Sequence, residues 1–134
     1  MKSGRIVEKI DTRVLLSSLW VVVMINMLKA DILSLYIPGT ADEVAQFAGA
    51  TPIPQLMFGA AVIMELAIVM IVLVHVLPYR INQWANILVA VLMIAFVIGG
   101  GSTYPHYIFI ATVEVIGLLL IIGIAWRWRV ALAS

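Results

Sequence analysis

The sequence predicts an all-α fold, a four-transmembrane-helix bundle with both termini in the cytoplasm, and three observations predict it. Of 134 residues, 64% are hydrophobic and 11% charged, against about 45–50% and 25% in soluble domains, so the chain reads as an integral membrane protein. The apolar residues fall into four continuous runs, at 14–36, 55–77, 84–100 and 107–126, each near the roughly 20 residues a helix needs to cross a ~30 Å hydrocarbon core. The basic residues are one-sided. Lys2, Arg5, Lys9, Arg13, Arg80, Arg127 and Arg129 flank the runs at one membrane face, whereas the opposite loops carry Asp42 and Glu43. The positive-inside rule places the basic face, and with it both termini, in the cytoplasm of a multi-pass cell-membrane protein. The same asymmetry argues against dual topology. Transmembrane strands would alternate in polarity over about ten residues, and these runs do not.

Residues 1–13 place Ile6, Val7 and Ile10 at helical spacing, which fits either a short interfacial helix or a solvated tail. The first run is longer than a signal-peptide apolar region and lacks a small-x-small cleavage site, so it reads as a retained helix. The outer loop, Pro38 to Pro54, is the one connection long enough for structure of its own. Within it Thr40-Ala-Asp-Glu43 matches a capping box, with Thr40 accepting from the Glu43 amide and the Glu43 side chain reaching back. Gly49 is a natural stop, and Val44, Phe47 and Ala48 share a face, which predicts a short helix on the outer membrane surface. The third run is the shortest and ends in Gly99-Gly100-Gly101, a backbone suited to a tight connection. Trp84, Trp126 and Trp128 mark the inner boundary and Tyr36, Tyr104 and Tyr107 the outer, as in an aromatic belt. Nothing divides the chain, and 1–134 reads as one membrane domain.

The chemistry, if any, lies in the ionisable residues within the spans. Glu65 and Glu114 each sit near the middle of a run, where a carboxylate costs roughly 2.5–3.5 kcal/mol on insertion scales and usually faces a partner or a cavity. In the first span Asn26 and Lys29 are three residues apart and share a face, whereas Asp31 points elsewhere. By helical rise, Asn26 and Glu65 fall near mid-membrane, Glu114 slightly outward and Lys29 in the outer half, so the four can meet in one interior site. On the fourth span Tyr107, Glu114 and Gly117 form one stripe with Ala111 beside it, small residues that let a neighbouring helix approach. Two carboxyls and one ammonium cannot all be charged cheaply there, which suggests a shared, movable proton. The competing reading is that glutamate and asparagine hold helices together by hydrogen bonds and that Lys29 snorkels to the headgroups.

Other sites find little support. The chain has no cysteine, which removes thiol redox chemistry and thiolate ligands. His75 and His106 lie about a membrane thickness apart and cannot share a haem, and the positions three after Glu65 and Glu114 are Ile68 and Gly117 rather than the His a di-iron bundle requires. No metal and no cofactor is expected. Asn82 and Asn86, one turn apart, read as caps and pins of the third helix. Phosphate loops and nucleic-acid-binding surfaces are absent.

Four short motifs, Lys29-Ala-Asp-Ile-Leu-Ser-Leu-Tyr36, Gly59-Ala-Ala-Val-Ile-Met-Glu65, Tyr79-Arg-Ile-Asn-Gln-Trp-Ala-Asn86 and the fourth-span Glu114, occur in an order that resembles a bacterial four-helix membrane family, domain-of-unknown-function family 6326, similar in layout to the DoxX-like proteins. The resemblance runs from about Arg13 to Trp128 and implies fold and topology but no activity. It adds Asp31 and Asn86 to Glu65 and Glu114 as site candidates.

Three readings of function remain: a non-enzymatic protein whose polar site binds or passes a small solute with proton exchange, in a homo-oligomer or along a helix interface; an intramembrane enzyme acting on a lipid or isoprenoid; and a structural or assembly subunit of a membrane complex.

Overall fold

A computed structural model describes residues 11–100 and 104–128. They form five helices: α1 (Thr12–Ser34), α2 (Thr40–Ala48), α3 (Ile53–Val76), α4 (Tyr79–Gly99) and α5 (Pro105–Arg127). Four of these, all but α2, are long and apolar enough to span a membrane, and no strand occurs among the described residues. The spanning helices run up and down, with α1 packed between α3 and α5, and α4 closing the ring between the same two. The starts of α1 and α4 and the ends of α3 and α5 meet at one end of the bundle, here the terminal end. Arg13, Arg80 and Arg127 all lie there. The opposite end carries α2. The interfacial helix considered for residues 1–13 falls largely outside the described residues.

Local chemistry sets the helix boundaries. Asp11 caps α1 by accepting from the Arg13 amide at 2.9 Å. Pro105 sits in the first turn of α5, where its missing N–H costs nothing. The third span begins at Tyr79, five residues before the apolar run, because Pro78 presets the backbone for a helix whose first turns are polar. Hydrophobicity alone cannot find such a start. The capping box expected in α2 is not formed. Gly39 takes the cap position at φ 85°, a left-handed conformation that only glycine adopts cheaply. The Thr40 hydroxyl then turns back, donating to the Ser34 and Ile37 carbonyls at 2.8 Å each, and Glu43 instead accepts from the Tyr104 hydroxyl at 2.8 Å. Gly49 ends the helix at φ 57°, as the sequence suggests.

Within lipid, apolar burial gives little drive for helix association, so packing and interhelical hydrogen bonds must supply it. The core is built accordingly from Trp20, Leu16, Met70, Met93, Leu118 and Ile121, all essentially inaccessible, with Ala67 and Ala90 where helices come close. On α5, a Cβ placed on Gly117 would lie 3.1 Å from Val23 Cγ2, so glycine sets the α1–α5 separation.

A chain of polar contacts ties the terminal end. Pro78 has no N–H, which leaves the Val74 carbonyl without its helical donor. Asn82 Nδ2 donates to that carbonyl at 2.6 Å and Arg13 Nη1 at 2.7 Å, and the same Arg13 nitrogen reaches Leu77 O at 3.0 Å. Asn82 in turn accepts from Asn86, whose Oδ1 accepts from Trp20 Nε1 at 2.8 Å across the middle of the bundle. Ser17 donates to Ile71 O at 2.8 Å. At the margin Gln83 holds the Ala125 carbonyl at 2.8 Å, Tyr79 donates to Trp128 O, and the Arg13 guanidinium lies over the Trp128 ring at 5.4 Å. Asn82 and Asn86 are fully buried with their side chains bonded within this chain, and so act as the pins the sequence suggests.

Asn86→Ala strands both Trp20 Nε1 and Asn82 Oδ1, at an expected cost of about 2–4 kcal/mol, against about 1–3 kcal/mol for Trp20→Phe, which strands one acceptor. The double variant should cost less than the sum, measured by reversible unfolding in mixed micelles; strict additivity would show that the two side chains do not interact.

Candidate functional site

The other end of the bundle is built differently, because α3 does not close it. The buried residues of α3 are Ala67, Met70 and Val74, all in its second half; in the first half most positions from Ile53 to Leu66 are exposed. At that level the bundle is closed chiefly by α1, α4 and α5, whose inward residues Met27, Ala30, Val97 and Ile110 are buried.

Two contacts define the antiparallel register of α1 and α5. Ser34 Oγ lies 3.2 Å from His106 Nε2, and Val23 lies against Gly117. The register is unbroken between them and sets Glu114 level with Asn26. Glu114 sits nine residues into α5, roughly 13 Å from its start, and is 3% exposed. It belongs to the stripe Ile110, Glu114, Gly117, Leu118 and Ile121 that faces inward. Its Oε1 is buried without a hydrogen-bond partner among the described residues. Asn26 does not supply one, because its amide donates to Val22 O on its own helix at 2.8 Å.

Asp31 and Tyr107 are the groups that share the electrostatic environment of Glu114. Asp31 continues the stripe of buried Trp20, Met24 and Met27 on α1, whereas Lys29 is exposed, although the sequence reading paired Asn26 with Lys29 and sent Asp31 elsewhere. Asp31 is solvent-accessible while Glu114 is not. The Tyr107 hydroxyl donates to Val97 O at 3.0 Å, fixing the ring between α4 and α5. Ser34 and His106 join α1 and α5 farther toward α2.

The remaining candidates lie outside this cluster. Glu65 is exposed on the face of α3 turned away from the bundle, and Lys29 is exposed on α1, so the expected meeting of Asn26, Lys29, Glu65 and Glu114 in one interior site does not occur. Asn86 belongs to the polar chain of the terminal end, where both Nδ2 hydrogens and Oδ1 are engaged within the chain. Among the described residues no group of three His, Cys, Asp or Glu converges as a metal site would. An apolar groove of about 360 Å³ runs between α4 and α5, lined by Val97, Tyr107, Ala111, Thr112 and Val115 among others; it reaches Tyr107, but Glu114 is not part of its wall. Sequence reasoning missed that Asp31, and not Lys29, lies on the bundle-facing stripe of α1, because packing and not composition decides which side of an apolar span is buried.

The rim adds a titratable tie between α2 and α5. The hydrogen bond from Tyr104 to Glu43, together with partial burial and the carboxylate charge, holds the phenol above its ordinary pKa of 10.0. A raised folded-state pKa stabilises below the unfolded value and loses that contribution as pH climbs through the folded one. The α2–α5 tie should therefore hold at neutral pH and release above pH 10. Tyrosinate absorbance, taken as the difference between the native chain and Tyr104→Phe, should titrate at lower pH in Glu43→Gln; an unchanged midpoint would mean the two side chains do not meet.

The model of a family of unknown function, DUF6326, matches residues 5–134. Neither the curated proteins nor the solved structures hold a match to the chain.

Proposed function

The chain belongs to the DUF6326 family, whose function is unknown, and on its own geometry we propose that it is a cell-membrane protein, both termini cytoplasmic, that binds or passes a small solute with proton exchange at Glu114. The observation that carries this reading is the orphaned Oε1 of a glutamate buried near the middle of a spanning helix. A carboxylate in that position needs a proton or a cationic or hydrogen-bond-donating partner, and the described residues supply none to Oε1. Asp31 offers a second acidic group nearer the α2 end of the bundle. A solute carrying an ammonium, guanidinium or similar donor group has the chemistry to enter past Ser34 and His106, meet Asp31 first and displace a proton from Glu114. With the basic residues cytoplasmic, this path opens outward.

The groove between α4 and α5 tests the alternative of an enzyme working on a lipid or isoprenoid. Such an enzyme needs its carboxyl in the apolar groove, and Glu114 faces away from it. The geometry favours solute binding.

Two measurements check the proposal. Because the site is held at a cost to the fold, Glu114→Met should raise stability by about 1–3 kcal/mol in detergent unfolding; a loss of stability would make Glu114 a structural bond and end the reading. In proteoliposomes carrying an internal pH dye, external guanidinium, which does not cross as a free base, should trigger internal alkalinisation by the native chain as it exchanges for protons. Glu114→Gln should abolish the signal and Asp31→Asn weaken it at least tenfold, whereas an equal response in Glu114→Gln would refute proton exchange at this site.

A further inference from the structure

Glu65 stands outside the site just described and presents a problem of its own. It lies two residues before buried Ala67, roughly 200° around the helix, and its neighbours one turn away, Ala61, Val62, Ile68 and Val69, are all exposed. The monomer thus turns a glutamate toward lipid at mid-span, where ionisable side chains are among the most disfavoured and are found facing protein or water. Lys29 has the same difficulty on α1, where Ile25, Ile32 and Leu33 around it are exposed. Neither side chain has a hydrogen bond or ion pair among the described residues.

We propose that the chain pairs with a second copy of itself through the outer face of α1 and α3, Glu65 of each copy meeting Lys29 of the other. The helices are neighbours, and the Ser17–Ile71 contact fixes their register, which puts Glu65 level with residue 23 and Lys29 about 9 Å farther toward α2. Side chains on a helix lean toward its N-terminus. For α1 that direction is the terminal end and for α3 the α2 end, so ammonium and carboxyl converge in depth. Within one copy both point outward and cannot meet.

A two-fold axis along the membrane normal keeps two copies at one depth and sets α1 of one against α3 of the other, so a single operation makes both pairs, as an isologous interface requires. Charge complementarity selects the occupant: a covering partner must offer a base and an acid at these two depths, and this chain does. Ala61, one turn from Glu65, lets the facing helix come close. Gly59 nearby has open space around its Cα in the monomer, so the fold of one copy does not require its small size.

The absence of native cysteine allows a direct test. Two differently tagged full-length copies, one Leu28→Cys and one Ala61→Cys, are co-expressed and oxidised in the membrane. Leu28 and Ala61 are nearly level in the same register, and the mixed-tag disulfide should exceed either like-pair product at least tenfold. In a matched pair of strains, Glu65→Lys or Lys29→Glu in both copies should cut the mixed product tenfold, and the two reversals together should restore it, tag accessibility confirming unchanged orientation. A dominant 61–61 product, a cross-link to another protein, or a mixed product indifferent to both reversals would overturn the interface. If the reversed variants fail to accumulate, the native-charge pair still decides, through its ratio of mixed to like-pair product. Glu114 is untouched throughout, so this test and that of the solute site fail independently.

Discussion

The architecture depends on one missing hydrogen. Pro78 cannot donate to the Val74 carbonyl, and that carbonyl, left at the end of α3 inside an apolar protein, has to be satisfied from elsewhere. Asn82 and Arg13 satisfy it, and by doing so they join the start of α1, the end of α3 and the start of α4 at one point. Asn86 and Trp20 extend the same chain to the bundle centre. In a medium where apolar contact is nearly free for every helix face, these directed bonds specify which helices are neighbours.

The terminal end is fastened in this way across α1, α3 and α4, whereas the bonds of the other end join α1, α2, α4 and α5 without α3, a division that follows the sequence of α3. Its second half carries Ala67, Met70 and Val74 against the bundle, whereas its first half buries almost nothing. The terminal end is thus packed from all four spanning helices and the α2 end chiefly from α1, α4 and α5. The acidic residues are distributed to match, Asp31 accessible and Glu114 enclosed. Gly117 makes the enclosure possible by letting α1 approach α5 one turn below the acid.

The two mid-span glutamates thus answer to different constraints. Glu114 is enclosed by its own chain, its Oε1 without a partner among the described residues; Glu65 faces away from its own chain. A symmetrical reading of the pair as one acid–base couple fits their similar depth but not their directions. Depth follows from counting residues along the spans, whereas direction depends on which side of each helix the neighbours occupy.

That difference marks what the sequence by itself determined. Composition, four apolar runs and the one-sided basic residues specify the spans and the up-and-down order, because lipid requires every backbone group to be bonded within a helix. Asn82 and Asn86 as pins and Gly49 as a stop were legible for the same local reason. The start of α4 was not, since Pro78 and not hydrophobicity defines it; nor was the cap of α2, where a left-handed Gly39 displaced Thr40. The inward faces were decided only by the tertiary structure. A spanning helix is apolar all round, so no amphipathic stripe distinguishes core from lipid, and Asp31, Lys29, Glu65 and Glu114 were assigned their surroundings by the fit of Gly117 to Val23 and by the polar chain that begins at Pro78.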